Sequence, residues 1–351
     1  RPDGSIGFRQ NPKVTARTIE QGIAEYRALV SPGYTPRRED MEIRNWNDPR
    51  WEALRDATQR LYEQILKEIE PEMEGIEHVI FVPTGKLYYL PIHALGPYEG
   101  RTNQIRFLAA TRKVSYLTQA SLFKAMPPAA RADAPSRQAP RILALGDVRY
   151  GGPLRTLPNS VRELRGIRAI FGPAASVLEG RRATRNNLLH ALNGGAGSRS
   201  ASSRRGHGGF DYILLSTHGV LDAKNPSLSY LAMEDGNKLL AKEIAGLDLS
   251  GTELVTLSAC ETALAGANPG SELMSLGEHI SQAQAGAVIA TLWSVDDLST
   301  TDLTGKVHER LKRDRRDKAA ALRHAQIALI NDPKTRHPYF WAPFVLYGRG
   351  W

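Results

Sequence analysis

From residue 140 onward, short continuous apolar runs alternate with segments of helical periodicity, and this restricts the fold more than any other feature. "RILALGD", "DYILLSTHG", "ELVTLSAC", "AVIATLW" and "FWAPFVLYG" each contain an apolar run without polar residues at every second place. Such runs read as strands buried on both faces. Between them, "SVRELRGIRAIFG", "TRNNLLHALN" (capped by Thr184), "SLGEHISQAQAG" and "DKAAALRHAQIALIND" read as helices. Buried strands joined through helices predict an α/β fold, a mainly parallel sheet flanked by helices on both faces.

The first part of the chain is patterned differently. Residues 1–45 are rich in Pro, Gly and charge, and read as an N-terminal arm or connector. In "DPRWEALRDATQRLYEQILKEIEPEM", Asp48 is the expected N-cap and Pro49 the first helical residue, with Leu54, Leu61, Ile65 and Ile69 at helical spacing until Pro71. "IEHVIFVPTGKLYYLPIHAL" predicts two strands around a Thr84-Gly85 turn, and "RKVSYLTQASLFKAM" a strand followed by a helix. The Pro/Ala-rich stretch at 127–139 is the expected linker. It divides a smaller domain, 46–126, from a larger one, 140–351. Within the latter, the Gly/Ser/Arg-rich segment 193–209 has the composition of a mobile surface loop.

In sheets of this kind, working groups collect at the carboxyl ends of the strands. That rule puts His218, Gly219 and Cys260 on one edge, and the 42 residues from His218 to Cys260 leave room for one crossover. A thiol of pKa about 8.5 is mostly protonated near neutrality, and a histidine within hydrogen-bond reach makes it a nucleophile. The backbone N–H groups of Gly219 and Cys260 are candidate donors to an oxyanion. Cys260 is the only cysteine, which excludes an internal disulfide or a zinc ribbon and fits a reducing, cytoplasmic compartment. No metal constellation and no dinucleotide fingerprint is present, "GDVRYGGP" having the wrong glycine spacing, so no cofactor is expected. No apolar run approaches the roughly 18 residues of a membrane span. The formal charge of +9, from 46 basic and 37 acidic residues, is scattered and not interleaved with aromatics, which argues against direct nucleic-acid binding. The chain opens without a Met or an apolar leader and is expected to be a piece of a longer protein.

Six stretches, in order, resemble the CHAT family of caspase-like cysteine peptidases, related to separase within the caspase–gingipain group. They are "VIFVPTGKLYYLPIHAL", "LPNSVRELRGI", "LSTHGVLDAKNPSLSYLAM", "LVTLSACETA", "AGAVIATLWSVDDLST" and "HPYFWAPFVLYG". The resemblance implies a caspase-like fold for 140–351, preceded by a degenerate, pseudo-protease companion domain. It implies a His218/Cys260 dyad, an oxyanion hole of Gly219 and Cys260, and a thioester acyl-enzyme formed from protein substrates. In separase-like relatives a Trp-x-Val-x-Asp stretch lines the pocket before the scissile bond. Here Trp293 to Asp297 take that place, so Asp297, with Asp296 and Trp293, is expected to receive a basic residue. Asp222, inside the histidine motif, is grouped with them as substrate-binding. The competing reading of "VDD" is a cap on the helix that follows. The family also implies control by an attached or partner sensor module, in bacterial defence or programmed cell death. The alternative is a catalytically silent scaffold for protein–protein interaction, against which the presence of both His218 and Cys260 argues.

Overall fold

A computed structural model describes residues 7, 9–31, 33, 36–125, 139–193, 209–220, 222, 224–258, 279–315 and 317–351. Along the chain the strands are β1 His78–Phe81, β2 Tyr98–Glu99, β3 Gln104–Ile105, β4 Lys113–Tyr116, β5 Ile142–Gly146, β6 Ala175–Glu179 and β7 Tyr212–Leu215. They continue with β8 Gly219–Val220, β9 Tyr230–Ala232, β10 Lys238–Leu240, β11 Leu254–Leu257, β12 Ala287–Thr291 and β13 Phe344–Gly348. One eight-stranded sheet has the order β1-β4-β13-β12-β11-β7-β5-β6. Neighbouring strands are parallel throughout except at β12 and β13, which pair antiparallel.

The continuous apolar runs are explained by two-sided burial. Ile142, Ala144, Leu214 and Leu254 enter one core with Leu164 and Leu303, from the helices Pro158–Phe171 and Asp297–Arg313. Their neighbours Leu143, Leu145, Ile213 and Val255 enter a second core with Leu188 and Ile244 on the opposite face. Each fully buried Leu or Ile is worth about 1.5–3 kcal/mol, so neither face tolerates a polar alternation. The fold is mixed α/β, a mainly parallel sheet flanked by helices. Thr184 caps the helix Arg185–Leu192, its hydroxyl accepting from the Asn187 N–H at 3.1 Å. Among the described residues no helix is long and apolar enough to cross a membrane.

Several local expectations are corrected. The stretch after β1 does not form a hairpin. It makes 3-10 turns at Gly85–Tyr89 and Ile92–Ala94, and β1 pairs in parallel with β4 instead. Pro83 and Pro91 have no N–H for a ladder, which disqualifies the second run as a strand. The supposed arm contains a helix, Ala16–Val30, whose start is closed by a reciprocal Thr15/Thr18 capping box and whose Ile23, Tyr26 and Val30 are buried. Asp48 and Pro49 do start a helical segment, but the α-helix Glu52–Ile65 ends before Pro71, which lies in a separate 3-10 turn. β1 and β4, from the 46–126 segment, continue the same sheet as the strands after residue 140. Residues 126–138 and 194–208, and with them nearly all of the expected linker and loop, lie outside the described residues.

Candidate functional site

β5, β7 and β11 are adjacent and end together. The Ser216 N–H donates to the Leu145 carbonyl at 2.8 Å, and the Ser258 N–H to the Leu215 carbonyl at 3.0 Å. Beyond Leu215 the chain leaves the main sheet for a small one, ordered β10-β9-β8, and His218 sits at the joint. Its carbonyl accepts the Ala232 N–H at 2.8 Å, and the Thr217 hydroxyl donates to the Ala232 carbonyl at 2.6 Å. Gly219 faces Leu231 across this antiparallel pair. With the His218–Ala232 bond next to it, Gly219 occupies a non-hydrogen-bonded position, so its N–H points away from β9.

The imidazole of His218 is buried, and its surroundings come from the loop after β5. Nε2 lies 2.6 Å from the Arg155 carbonyl. A carbonyl only accepts, so Nε2 carries the proton, and the lone pair of the neutral ring is on Nδ1. The Tyr150 ring packs against the imidazole at 4.6 Å between centroids and 51° between planes. Its hydroxyl is 3.1 Å from Thr217 Oγ1. Since the Thr217 proton goes to Ala232, Tyr150 donates here. The loop is tied down at both sides: the Arg149 N–H donates to the Glu234 carboxylate at 2.8 Å, and the Asp147 N–H to Ser160 Oγ at 3.0 Å. Gly146 permits this closeness, because a Cβ there would come within 3.2 Å of Leu164 and 3.3 Å of Ser216. "GDVRYGGP", set aside as a failed nucleotide motif, therefore supplies the ring wall of the histidine, and Arg155, two residues beyond it, supplies the hydrogen-bond partner. The available signal was its place at the carboxyl end of the strand next to β7.

A small polar cleft opens beside these strand ends. Ser216 and Ser258 line it from just beyond β7 and β11, Asn159 and Glu163 from the helix Pro158–Phe171, and Val295 and Thr301 from the segment after β12. Glu163 is only 4% exposed and accepts a hydrogen bond from the Thr304 hydroxyl at 2.5 Å. The sequence reading missed it. Its helical phase, one residue from the core Leu164 and three from the buried Ser160, marks it as inward-facing.

Trp293 is buried, its indole N–H donating to the Tyr339 carbonyl at 3.1 Å. Asp296 caps the helix Asp297–Arg313: Oδ2 accepts the Ser299 N–H at 3.1 Å and the Arg38 Nε–H at 3.2 Å. Asp297 is the first residue of that helix, and its side chain lies outside the described residues. Asp222 holds the turn from β8 to β9, its Oδ1 accepting the N–H groups of Lys224 and Asn225 at 3.0 and 2.9 Å. Cys260 also lies outside the described residues. Among the described residues, no group of three or more His, Cys, Asp or Glu side chains is placed to hold a metal ion.

A family model described as the CHAT domain matches residues 55–349. The chain belongs to the CHAT family. No curated protein matches its sequence. Among solved structures, this CHAT chain is similar to the complex of Porphyromonas gingivalis RgpB pro- and mature domains. The identity is 13% and the TM-score 0.49, over 95% of this chain and 76% of that one. It is also similar to the Saccharomyces cerevisiae separase–securin complex, at 12% identity and a TM-score of 0.45. That match covers 96% of the CHAT chain and only 23% of the other.

Proposed function

We propose that this CHAT chain is a cysteine endopeptidase in which His218 is the base and Cys260 the nucleophile. The observation that carries the proposal is the orientation of His218. Its Nε2–H is committed to the Arg155 carbonyl, so Nδ1 is the basic nitrogen. The sequence adds a second support. Leu215 and Leu257 are paired across β7 and β11, and His218 and Cys260 each follow their strand end by three residues. In the proposed reaction Nδ1 takes the thiol proton and the thiolate attacks the scissile carbonyl. The N–H groups of Gly219 and Cys260 hold the oxyanion, and the imidazolium protonates the departing amine. Water then hydrolyses the thioester, with Nδ1 accepting its proton.

Asp297, with Trp293, Asp296 and Asp222 in supporting roles, is proposed to select a basic residue before the cut. The segment 46–126 is read as a degenerate companion domain. Regulation by an attached or partner sensor module, cytoplasmic action on protein substrates, and a part in bacterial defence or programmed cell death complete the proposal.

The deciding experiment uses a fluorogenic peptide and a thiol-reactive peptide probe against wild type, Cys260→Ala, Cys260→Ser and His218→Ala. Each variant should lose turnover with its fold intact by circular dichroism. The serine variant fails because a hydroxyl is far less acidic than a thiol. Full turnover by Cys260→Ala would remove the mechanism.

A further inference from the structure

The segment that follows β12 is held from behind by two arginines of the N-terminal region. Arg27, on the helix Ala16–Val30, donates from Nη1 to the Leu292 carbonyl at 3.0 Å and lies 4.8 Å over the Trp293 ring. Arg38 begins the 3-10 turn Arg38–Met41. Its Nε reaches Asp296 Oδ2 at 3.2 Å and its Nη2 reaches Ser299 Oγ at 2.9 Å, while its guanidinium lies 5.9 Å over Phe340. Asp296 Oδ2 also accepts the N–H and the hydroxyl of Ser299. Leu292 to Ser299 is thus fixed at both ends by side chains more than 250 residues away in sequence. Between those ends, Val295 lines the polar cleft beside Ser216 and Ser258.

We propose that Arg27 and Arg38 are positioning residues of the substrate cleft, setting the placement of its 292–299 wall from outside the cleft. This rests on reading that wall as part of the substrate site. The chemistry selects arginine. A planar fork spans the Asp296 carboxylate and the Ser299 hydroxyl together, whereas an ammonium is a single point charge. Cation–π contact with Trp293 and Phe340 holds both guanidinium planes. A displacement of the Ala16–Val30 helix or of the Arg38 turn is passed to Val295 through these bonds.

The test compares Arg38→Ala, Arg38→Lys and Asp296→Asn with wild type in the whole chain. Asparagine is as good a helix cap as aspartate, so Asp296→Asn removes the charge pair and keeps the cap. Hydrogen–deuterium exchange at the amides of 293–299 should rise about tenfold in Arg38→Ala, as for loss of one charge-assisted hydrogen bond, and less in Arg38→Lys. Amides of β7 and β11 should be unchanged. Peptide KM should rise severalfold with kcat less affected, and a small uncharged thiol reagent should label Cys260 at the wild-type rate. Should Arg38→Ala fail to fold, Arg38→Lys and Asp296→Asn give the same readouts. Unchanged exchange in the folded variants overturns the proposal. So does raised exchange with unchanged KM, because the held segment would then not be a cleft wall. Exchange needs no turnover, so a wild type that cleaves no peptide counts against the peptidase reading and leaves the arginine contacts to be judged on their own.

Discussion

Acidification from pH 7.5 to 5.5 should destabilise this fold by about 4 kcal/mol, through three histidines that lie outside the proposed chemistry. His93, His308 and His337 are 2%, 0% and 1% exposed, and burial pushes their imidazoles down to about 3, 4 and 3. Their contacts demand neutrality too. His93 Nε2 accepts from the Gln326 amide at 3.1 Å, and His337 Nδ1 accepts the Tyr339 N–H at 3.0 Å. A proton on either nitrogen would set donor against donor. The folded values lie below the unfolded value of about 6.5, so below that pH the unfolded chain takes up protons that the folded chain refuses. Stability is complete above pH 6.5 and falls as the pH is lowered towards the folded values. At pH 5.5 each unfolded imidazole is about 90% protonated, which is worth about 1.4 kcal/mol per group. His78, also lowered by burial, adds in the same direction. Glu179 and Glu243, held low by hydrogen bonds from Arg168 and Arg185, stay ionised in both states across this window and do not offset the loss. Urea midpoints followed by tryptophan fluorescence at half-unit pH steps measure the effect. His337→Asn, which keeps a capping acceptor, should remove about a third of the dependence. A midpoint that does not move between pH 7.5 and 5.5 would refute the reasoning.

Two further outcomes concern the site. Tyr150→Ala should lower kcat about two- to tenfold by removing the ring packed on His218, while Tyr150→Phe keeps most activity; equal rates for Ala and wild type would show the wall to be idle. Asp297→Ala should lose about 2 kcal/mol of discrimination for Arg over Leu in kcat/KM. An Arg/Leu ratio unchanged in that variant removes the basic-residue preference.

The central strands were legible because two-sided burial leaves an unmistakable trace: β5, β7, β11, β12 and β13 are apolar apart from the buried Thr256 and Thr291 and the closing glycines. Strands at the edges leave less. β6, "ASVLE", is half-buried along its length and was not anticipated. The helix Ala16–Val30 was present in the spacing of Ile19, Ile23, Tyr26 and Val30, but Pro- and Gly-rich flanks obscured it. Proline decided against the hairpin after β1, where apolar content alone suggested it. At the site, strand-end geometry located His218 from sequence. The same geometry could not reveal Tyr150, the Arg155 carbonyl or the arginine contacts, since these depend on which loops meet across large sequence separations. The helix-capping alternative for "VDD" describes Asp296.

The position of β13 has a consequence for how the molecule is made. β1 and β4 leave the ribosome early, yet they reach the rest of the sheet only through residues 344–348, which are synthesised after every other described strand. Until then β4 has an unpaired edge, with Lys113 as one charge to discourage other strands. The cleft wall also waits, because Trp293 and Arg38 lean on Tyr339 and Phe340. A nascent chain can therefore assemble β5, β6, β7, β11 and β12 while still lacking both its sheet closure and its cleft support. Such late, long-range pairing is slow and exposes the intermediate to aggregation. It also delays completion of the proposed peptidase until translation has passed residue 348.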